Sequence, residues 1–118
     1  MVIIKNNSGF LGRITPSEFS RLLHTGGYVA LDVRTEEEHK TCDLSKNTMC
    51  VDFYNEKFTQ HIEALDKTQK YLLYCRSGNR SSQTIPLMHT LGFTFYEMEG
   101  GIIQWTADGL DIVGDTIV

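Results

Sequence analysis

Apolar runs and amphipathic segments alternate along the chain, and this alternation predicts the order of its strands and helices. The apolar runs are short, as is typical of strands that are buried on both faces of a sheet. Several segments between them carry apolar residues at helical spacing. The predicted strands are residues 28–33, 47–52, 71–74 and 93–98, with a helical turn at 36–38 and later helices at 55–65, 81–91 and 102–107.

The first predicted helix carries both a start signal and a stop signal. Thr15 is a capping residue, Pro16 suits the first helical position, and Glu18 completes a capping box. Gly26 and Gly27 then interrupt the helical pattern. The pattern therefore predicts a helix that begins after Thr15 and ends before Gly26.

The order of these elements predicts the fold class. Strands that alternate with helices of about ten residues form βαβ units, in which the strands are parallel and the helices cover both faces of the sheet. The polar segment up to Gly12 is expected to be a loose end or an edge strand. We therefore predict one α/β domain over residues 1–118, with its core at about 13–113 and a mainly parallel central sheet of about five strands.

Composition and charge narrow the range of partners. The 118 residues are 41% hydrophobic and 22% charged, as in ordinary globular proteins, and the formal net charge is -4. Without a general basic field, neither nucleic acid nor an anionic membrane is an expected partner. No apolar run approaches the ~20 residues of a membrane span, and no secretion signal is recognised. Three cysteines without such a signal predict reduced thiols and a cytoplasmic location.

One stretch of the chain carries positive charges and no carboxylate. Between Lys67 and Tyr96 there is no Asp or Glu, whereas Lys67, Lys70, Arg76 and Arg80 all fall inside the stretch. We interpret this distribution as a local attraction for anions.

A single cysteine stands where a buried strand passes into a helix. It opens the segment Cys75-Arg76-Ser77-Gly78-Asn79-Arg80-Ser81-Ser82. Successive backbone amides in such a turn point inward, and the helix amino terminus adds about half a positive charge. Gly78 and Asn79 tolerate the backbone conformations that a tight turn requires. Because the amides and the guanidinium groups of Arg76 and Arg80 favour the thiolate, the segment predicts an anion-binding loop with a nucleophilic Cys75.

Three separated motifs together resemble the rhodanese family, the thiosulfate sulfurtransferases and their single-domain relatives. The segment that begins at Cys75 is similar to the active-site loop of that family. Leu31-Asp32-Val33-Arg34, followed by Glu38, resembles its Asp-Val-Arg signature with a later Glu. Gly100-Gly101, followed by Trp105-Thr106-Ala107-Asp108-Gly109-Leu110, resembles its closing motif. With the fold pattern around them, the motifs extend the resemblance over about residues 15–112.

The resemblance implies a single rhodanese-like domain that transfers a sulfane sulfur atom. Cys75 would attack the outer sulfur of thiosulfate, or of another sulfane-sulfur donor, and would then hold a persulfide. Cyanide, a small thiol or a sulfur-carrier protein would accept the sulfur. No metal and no organic cofactor is implied. The residues that would bind the donor and the persulfide are Arg76, Ser77, Gly78, Asn79 and Arg80.

Four residues of the motifs are expected to support the structure rather than to take part in the chemistry. Asp32 and Arg34 end a buried strand, so each needs a partner that offsets its desolvation. Glu38 is assigned a similar role. The large apolar area of Trp105 is expected to close one end of the fold.

The other cysteines and the histidines are not assigned to the site. Cys42 and Cys50 match neither a common zinc pattern nor a Cys-x-x-Cys pair, and we expect both to be small buried apolar residues. None of the histidines stands at a fixed short spacing from Cys75. They are His24, His39, His61 and His89.

Two features depart from the family pattern. Residues 42–47 differ from the Gly-His-Ile and Gly-Ala that the family usually carries there, so the loop beside the site is expected to differ in shape. Pro86 lies inside the helix predicted after the loop, where it removes a backbone hydrogen bond and clashes with the carbonyl four residues earlier. We therefore expect that helix to be kinked or to start late, with a weaker dipole at Cys75.

Two other functions stay open. A phosphatase or arsenate reductase of the cell-cycle phosphatase type also places a cysteine in a strand-to-helix loop, but with five residues between cysteine and arginine. Only four separate Cys75 from Arg80, and the shorter loop favours a persulfide. The other alternative is a recognition module that keeps the fold without the chemistry, because the sequence does not show whether the thiol is accessible.

Overall fold

A central sheet carries helices on both of its faces. The computed structural model describes residues 9–115. The predicted strands and helices are present there, with ends that differ by a few residues. The helices are α1 (Pro16–Thr25), α2 (Glu36–Thr41), α3 (Phe58–Glu63), α4 (Asn79–Thr90) and α5 (Gly101–Ala107), and the strands are β1 (Gly9–Ile14), β2 (Tyr28–Asp32), β3 (Cys42–Asp43), β4 (Thr48–Cys50), β5 (Lys70–Tyr74), β6 (Thr94–Met98) and β7 (Val113–Gly114).

The main sheet has five parallel strands in the order β1-β6-β5-β2-β4. This arrangement confirms the predicted α/β class and the parallel sheet of five strands. The polar segment up to Gly12 contributes the edge strand β1 from Gly9 onward, and residues 1–8 of that segment lie outside the described residues. β5 is the central strand of the five. The residue that follows its carboxyl end therefore lies between the carboxyl ends of the neighbouring strands β6 and β2.

The two faces of β5 belong to two separate apolar clusters. Leu72 and Tyr74 pack on the face that α1 and α5 cover, whereas Tyr71 and Leu73 pack on the face that α3 and α4 cover. This division follows from the strand geometry, in which successive side chains point to opposite faces. All four residues are buried, so β5 is anchored from both sides.

Trp105 of α5 packs within the first cluster. It is buried, and its ring meets that of Phe19 edge to face with 6.0 Å between the centroids. Its Nε1–H donates to the carbonyl oxygen of Asp111 over 2.8 Å, which satisfies the polar part of the indole.

Helix α1 begins as its sequence signals indicate. The backbone N–H of Glu18 donates to Thr15 Oγ1 over 3.2 Å, and Glu18 Oε1 accepts the N–H of Thr15 over 3.1 Å. The capping box is therefore complete, and α1 ends before Gly26.

Pro86 was expected to kink the helix after the loop or to make it start late, and the late start is wrong. Helix α4 begins at Asn79, two residues before the predicted start at Ser81, and Pro86 lies inside it. The early start keeps the first turn of α4 against the cysteine loop. Within residues 9–115, no helix is long and apolar enough to cross a membrane.

The segment that departs from the family pattern forms part of a small second sheet. Strands β3 and β7 pair in antiparallel orientation, with Cys42 opposite Gly114 and Asp43 opposite Val113. A Cβ atom on Gly114 would lie 2.4 Å from the carbonyl oxygen of Thr41, so the close pairing depends on this glycine. The ribbon, together with the hydrogen bond from the N–H of Asp115 to the carbonyl oxygen of Thr41, holds residues 113–115 beside α2.

Candidate active site

The thiol of Cys75 lies just beyond the carboxyl end of β5, inside a turn of backbone amides. The N–H of Gly78 donates to Cys75 Sγ over 3.1 Å, and the N–H of Ser81 donates over 3.4 Å. The residue is only 1% exposed. The two amides point at the sulfur, as the sequence predicts for this loop, and they stabilise negative charge there.

The other loop residues surround this turn. Ser77 and Asn79 are exposed, and Gly78 between them has a φ of +101°, a left-handed conformation that strains any residue with a side chain. Arg76 is half-buried and lines a cavity of about 160 Å³ beside the loop. The remaining residues that line this cavity are Arg34, Thr35, Glu37, Glu38, Thr41 and Cys42.

The loop rests on the first turn of α5. The N–H of Ile102 donates to the carbonyl oxygen of Cys75 over 3.0 Å, and the N–H of Ile103 donates to that of Arg76 over 3.0 Å. A Cβ atom on Gly101 would lie 2.4 Å from the carbonyl carbon of Arg76. The missing side chain at Gly101 therefore lets α5 hold the loop at hydrogen-bond distance.

Arg80 is bound to Glu38 rather than directed freely at a donor. Its Nη1 lies 2.6 Å from Glu38 Oε1 and its Nη2 lies 3.0 Å from Oε2, while its guanidinium lies over the ring of Tyr54 at 5.6 Å. The hydrogen bond from Arg80 is the main cause that lowers the pKa of Glu38 to about 2. The pair joins α2 to the first turn of α4.

Asp32 and Arg34 form a buried ion pair at the end of β2. Arg34 Nη2 lies 2.8 Å from Asp32 Oδ2 and also donates to the carbonyl oxygen of Cys42 over 2.6 Å. His39 Nδ1 lies 3.0 Å from Asp32 Oδ2 and 2.9 Å from Asp43 Oδ2. Burial raises the pKa of Asp32, and the hydrogen bond from Arg34 opposes that rise. These contacts connect β2 with α2 and β3, which supports a structural role for the pair.

One group of side chains has the composition of a metal site. Asp32, His39 and Cys50 each place a possible ligand atom within 4.8 Å of the others. The Arg34 cation already binds Asp32, and burial, followed by the charge of Asp32, raises the pKa of Cys50 to about 12. The Cys50 thiol donates to the carbonyl oxygen of Arg34 over 3.6 Å, and a protonated thiol is a poor ligand for a cation, so these residues fit a hydrogen-bonded cluster better than a metal centre.

The lysines of the acid-free stretch lie away from the loop. Lys70 Nζ lies 4.8 Å above the ring of Tyr28, and Lys67 Nζ lies 4.9 Å above the ring of Phe93. Lys70 begins β5, whereas Cys75 follows its carboxyl end. The lysines therefore lie near the amino ends of the strands, and the loop lies at the carboxyl ends. Of the positive charges in this stretch, those at the loop therefore belong to Arg76 and Arg80.

A carboxylate that the sequence motifs did not single out lies against the loop. Glu97 of β6 is buried, and its Oε2 accepts the hydroxyl of Ser81 over 2.5 Å. Its Oε1 lies 2.6 Å from Arg13 Nε. A charged residue inside a predicted buried strand is a signal that the sequence did contain, because a buried charge requires partners.

Comparisons with known proteins agree with this architecture. The family model described as Rhodanese-like domain matches residues 15–108. The chain is 34% identical over 104 residues to the rhodanese-like domain-containing protein 17 of Arabidopsis thaliana, with 78% of the chain and 66% of that protein covered. It is 29% identical over 102 residues to the adenylyltransferase and sulfurtransferase MOCS3 of Drosophila virilis, with 80% of the chain but 22% of that protein covered.

A solved structure has the same fold. The crystal structure of a rhodanese-related protein from Thermoplasma volcanium superposes with a TM-score of 0.77 at 24% identity, covering 87% of the chain and 98% of that structure. The chain spans less than two thirds of the length of both curated relatives named above. The family model matches residues 15–108, and the thiol loop follows the central strand. The chain therefore belongs to the rhodanese-like domain family.

Proposed function

We propose that the chain transfers a sulfane sulfur atom from thiosulfate, or from another sulfane-sulfur donor, through a persulfide on Cys75. The observation that carries the proposal is the pair of backbone amides, those of Gly78 and Ser81, that donate to Cys75 Sγ. Donors that are fixed in advance stabilise negative charge on sulfur without reorganisation. A family relative whose name includes a sulfurtransferase supports the same activity.

The proposed cycle consists of two displacements. The Cys75 thiolate attacks the outer sulfur of thiosulfate, a new S–S bond forms as the S–S bond of the donor breaks, and sulfite leaves with the electron pair. The acceptor then attacks the outer sulfur of the persulfide and releases the Cys75 thiolate. Cyanide becomes thiocyanate in this step and a small thiolate becomes a persulfide, so no oxidant or reductant is consumed.

The remaining loop residues have distinct parts in this proposal. Arg76, which lines the cavity beside the loop, attracts the sulfite portion of the donor, and Arg80, which is bound to Glu38, holds the first turn of α4 against α2. Ser77, Gly78 and Asn79 supply the backbone of the turn. A sulfur-carrier protein is a further proposed acceptor, no metal or organic cofactor takes part, and the cytoplasmic location stays a prediction.

Treatment with thiosulfate, followed by intact-protein mass spectrometry, tests the proposal directly. The wild-type protein is expected to gain one sulfur atom, and Cys75→Ala is expected to gain none. Cys50→Ala is the matched control, because its raised pKa makes Cys50 a poor nucleophile and its removal should leave the gain intact. No gain in the wild type, or a gain that persists in Cys75→Ala, contradicts the proposal.

The burial of Cys75, which is 1% exposed, favours a recognition module as a second candidate. A wild-type protein that neither gains sulfur nor reacts with iodoacetamide under native conditions would support this candidate.

A phosphatase assay on the same preparation tests the remaining alternative, a phosphatase or arsenate reductase of the cell-cycle phosphatase type. We expect no turnover that depends on Cys75, because only four residues separate it from Arg80.

A further inference from the structure

Glu97 is a buried carboxylate beside the thiol that the sulfur-transfer cycle does not use. Glu97 is only 1% exposed. Its Oε2 accepts the hydroxyl of Ser81 over 2.5 Å and that of Ser82 over 3.1 Å, and its Oε1 lies 2.6 Å from Arg13 Nε. Three donors directed at two oxygens fit an ionised carboxylate, which only accepts hydrogen bonds.

Ser81 connects this carboxylate to the nucleophile. A serine hydroxyl has one hydrogen to donate, and the 2.5 Å contact with Glu97 is far shorter than the 3.3 Å contact with the carbonyl oxygen of Gly78. The hydrogen is therefore donated to the carboxylate, which is the stronger acceptor. Ser81 Oγ lies 3.4 Å from Cys75 Sγ and can present only a lone pair to it. Such an oxygen accepts the S–H of a thiol but repels a thiolate.

We propose that Glu97 is a positioning residue that, through Ser81, holds Cys75 in the thiol form at rest. The inference rests on the proposed role of Cys75 as the nucleophile. The amides of Gly78 and Ser81 and the guanidinium of Arg80 favour the thiolate, and Glu97 opposes them. The balance between these groups sets the fraction of thiolate that can attack a donor.

The same contact distinguishes the thiolate from the loaded enzyme. In the persulfide, the inner sulfur bonded to Cβ is uncharged and the negative charge lies on the outer sulfur. The lone pair of Ser81 Oγ therefore opposes the thiolate more strongly than the persulfide. Glu97 thus favours the resting thiol and the loaded persulfide over the unprotected thiolate between them.

The pH dependence of Cys75 alkylation by iodoacetamide, followed by peptide mass spectrometry, tests this role without any sulfur donor. Glu97→Gln keeps the shape of the side chain and removes its charge, so we expect the pH midpoint of alkylation to fall by about one unit, with alkylation at neutral pH up to about tenfold faster. Ser81→Ala removes the connection and should lower the midpoint as well. Ser82→Ala is the matched control, since among the described residues its hydroxyl binds Glu97 but forms no hydrogen bond with Cys75.

Three results would overturn the proposal. A higher midpoint in Glu97→Gln would mean that the carboxylate accepts the proton of Cys75, and a higher midpoint in Ser81→Ala would mean that the hydroxyl donates to the thiolate. An unchanged midpoint in both would mean that neither group acts on the sulfur. Thermal unfolding reports whether each variant folds. If Glu97→Gln does not fold, the alkylation midpoint of Ser81→Ala alone tests the proposal. Because the assay contains no thiosulfate, it can be read even if persulfide formation fails. A Cys75 that iodoacetamide alkylates in no variant would show that the residue is not a nucleophile, which removes the basis of the inference.

Discussion

The carboxylate of Glu38 serves two contacts at once. Its Oε1 accepts the backbone N–H of Thr35 over 3.0 Å, which completes the capping box of α2, and the same oxygen binds Arg80 of α4. The hydrogen bond from Arg80, which outweighs the effect of burial, lowers the pKa of Glu38 from its ordinary 4.5 to about 2. The ionised form of Glu38 therefore stabilises the folded state, and it does so next to the cysteine loop.

This pKa shift makes the stability of the protein depend on pH in the acid range. The contribution of Glu38 is fully present above pH 4.5 and is lost as the pH falls towards 2, because the folded pKa is the lower one. We expect the urea midpoint of the wild type to fall through this interval more steeply than that of Glu38→Gln. Glu37→Gln, at an exposed neighbouring position, should keep the wild-type dependence. Identical profiles for the wild type and Glu38→Gln would show that the pair contributes little.

At the scale of elements, α5 positions the active-site loop through its backbone. Gly101 begins this helix with a φ of +63°, and a Cβ atom there would also lie 2.6 Å from the backbone nitrogen of Ser77. Both neighbouring atoms belong to the backbone, so a side chain can be accommodated only if the loop moves. The two hydrogen bonds from α5 to the loop would then lengthen or break.

Gly101→Ala should therefore impair sulfur transfer as well as stability. Gly27→Ala is the matched control, because Gly27 also has a positive φ, +85°, but a Cβ atom there would have no neighbour within 4 Å. We expect Gly27→Ala to cost about 1 kcal/mol of unfolding free energy, and Gly101→Ala about 2 kcal/mol more. Persulfide formation on Cys75 should slow only in Gly101→Ala. Equal effects of the two substitutions would show that backbone strain, and not contact with the loop, determines the loss.

Local signals predicted the elements well, and contacts between distant residues explain most of what they missed. The capping box at Thr15 and the apolar run before Cys75 located α1 and β5, since both signals lie within a few residues of the element. Pro86 misled the prediction for α4 because a helix tolerates proline when the packing of its other turns is sufficient.

The sequence predicted the turn of the cysteine loop, but it did not predict which distant residues contact that loop. The cysteine and the turn around it follow from consecutive residues, whereas Arg80 and Glu38 are 42 positions apart and Ser81 and Glu97 are 16 apart. Such pairs depend on how the strands are ordered, which a single sequence does not state. The β3–β7 ribbon was not predicted, because strands of two residues are too short to show an alternation of apolar and polar residues.

At the scale of the whole molecule, a buried charge cluster joins the main sheet to the small ribbon. Arg34 extends from the end of β2, pairs with Asp32, and reaches the carbonyl oxygen of Cys42 in β3. Its Nη2 also lies 3.6 Å from Asp43 Oδ1. One guanidinium thus compensates two buried carboxylates from different sheets, which links the position of the ribbon to that of the central strands.

Removal of this cation should affect the stability of the entire domain. Arg34→Met fills a similar volume but leaves Asp32 and Asp43 buried without their partner, so we expect a loss of about 3–5 kcal/mol of unfolding free energy, measured by urea denaturation. Arg21→Met, at an exposed position of α1, is the control and should change stability by no more than about 0.5 kcal/mol. A loss below about 1 kcal/mol in Arg34→Met would mean that hydrogen bonds with other neighbours, such as His39 and Thr48, satisfy the two carboxylates. The cluster would then join the two sheets through hydrogen bonds rather than through charge.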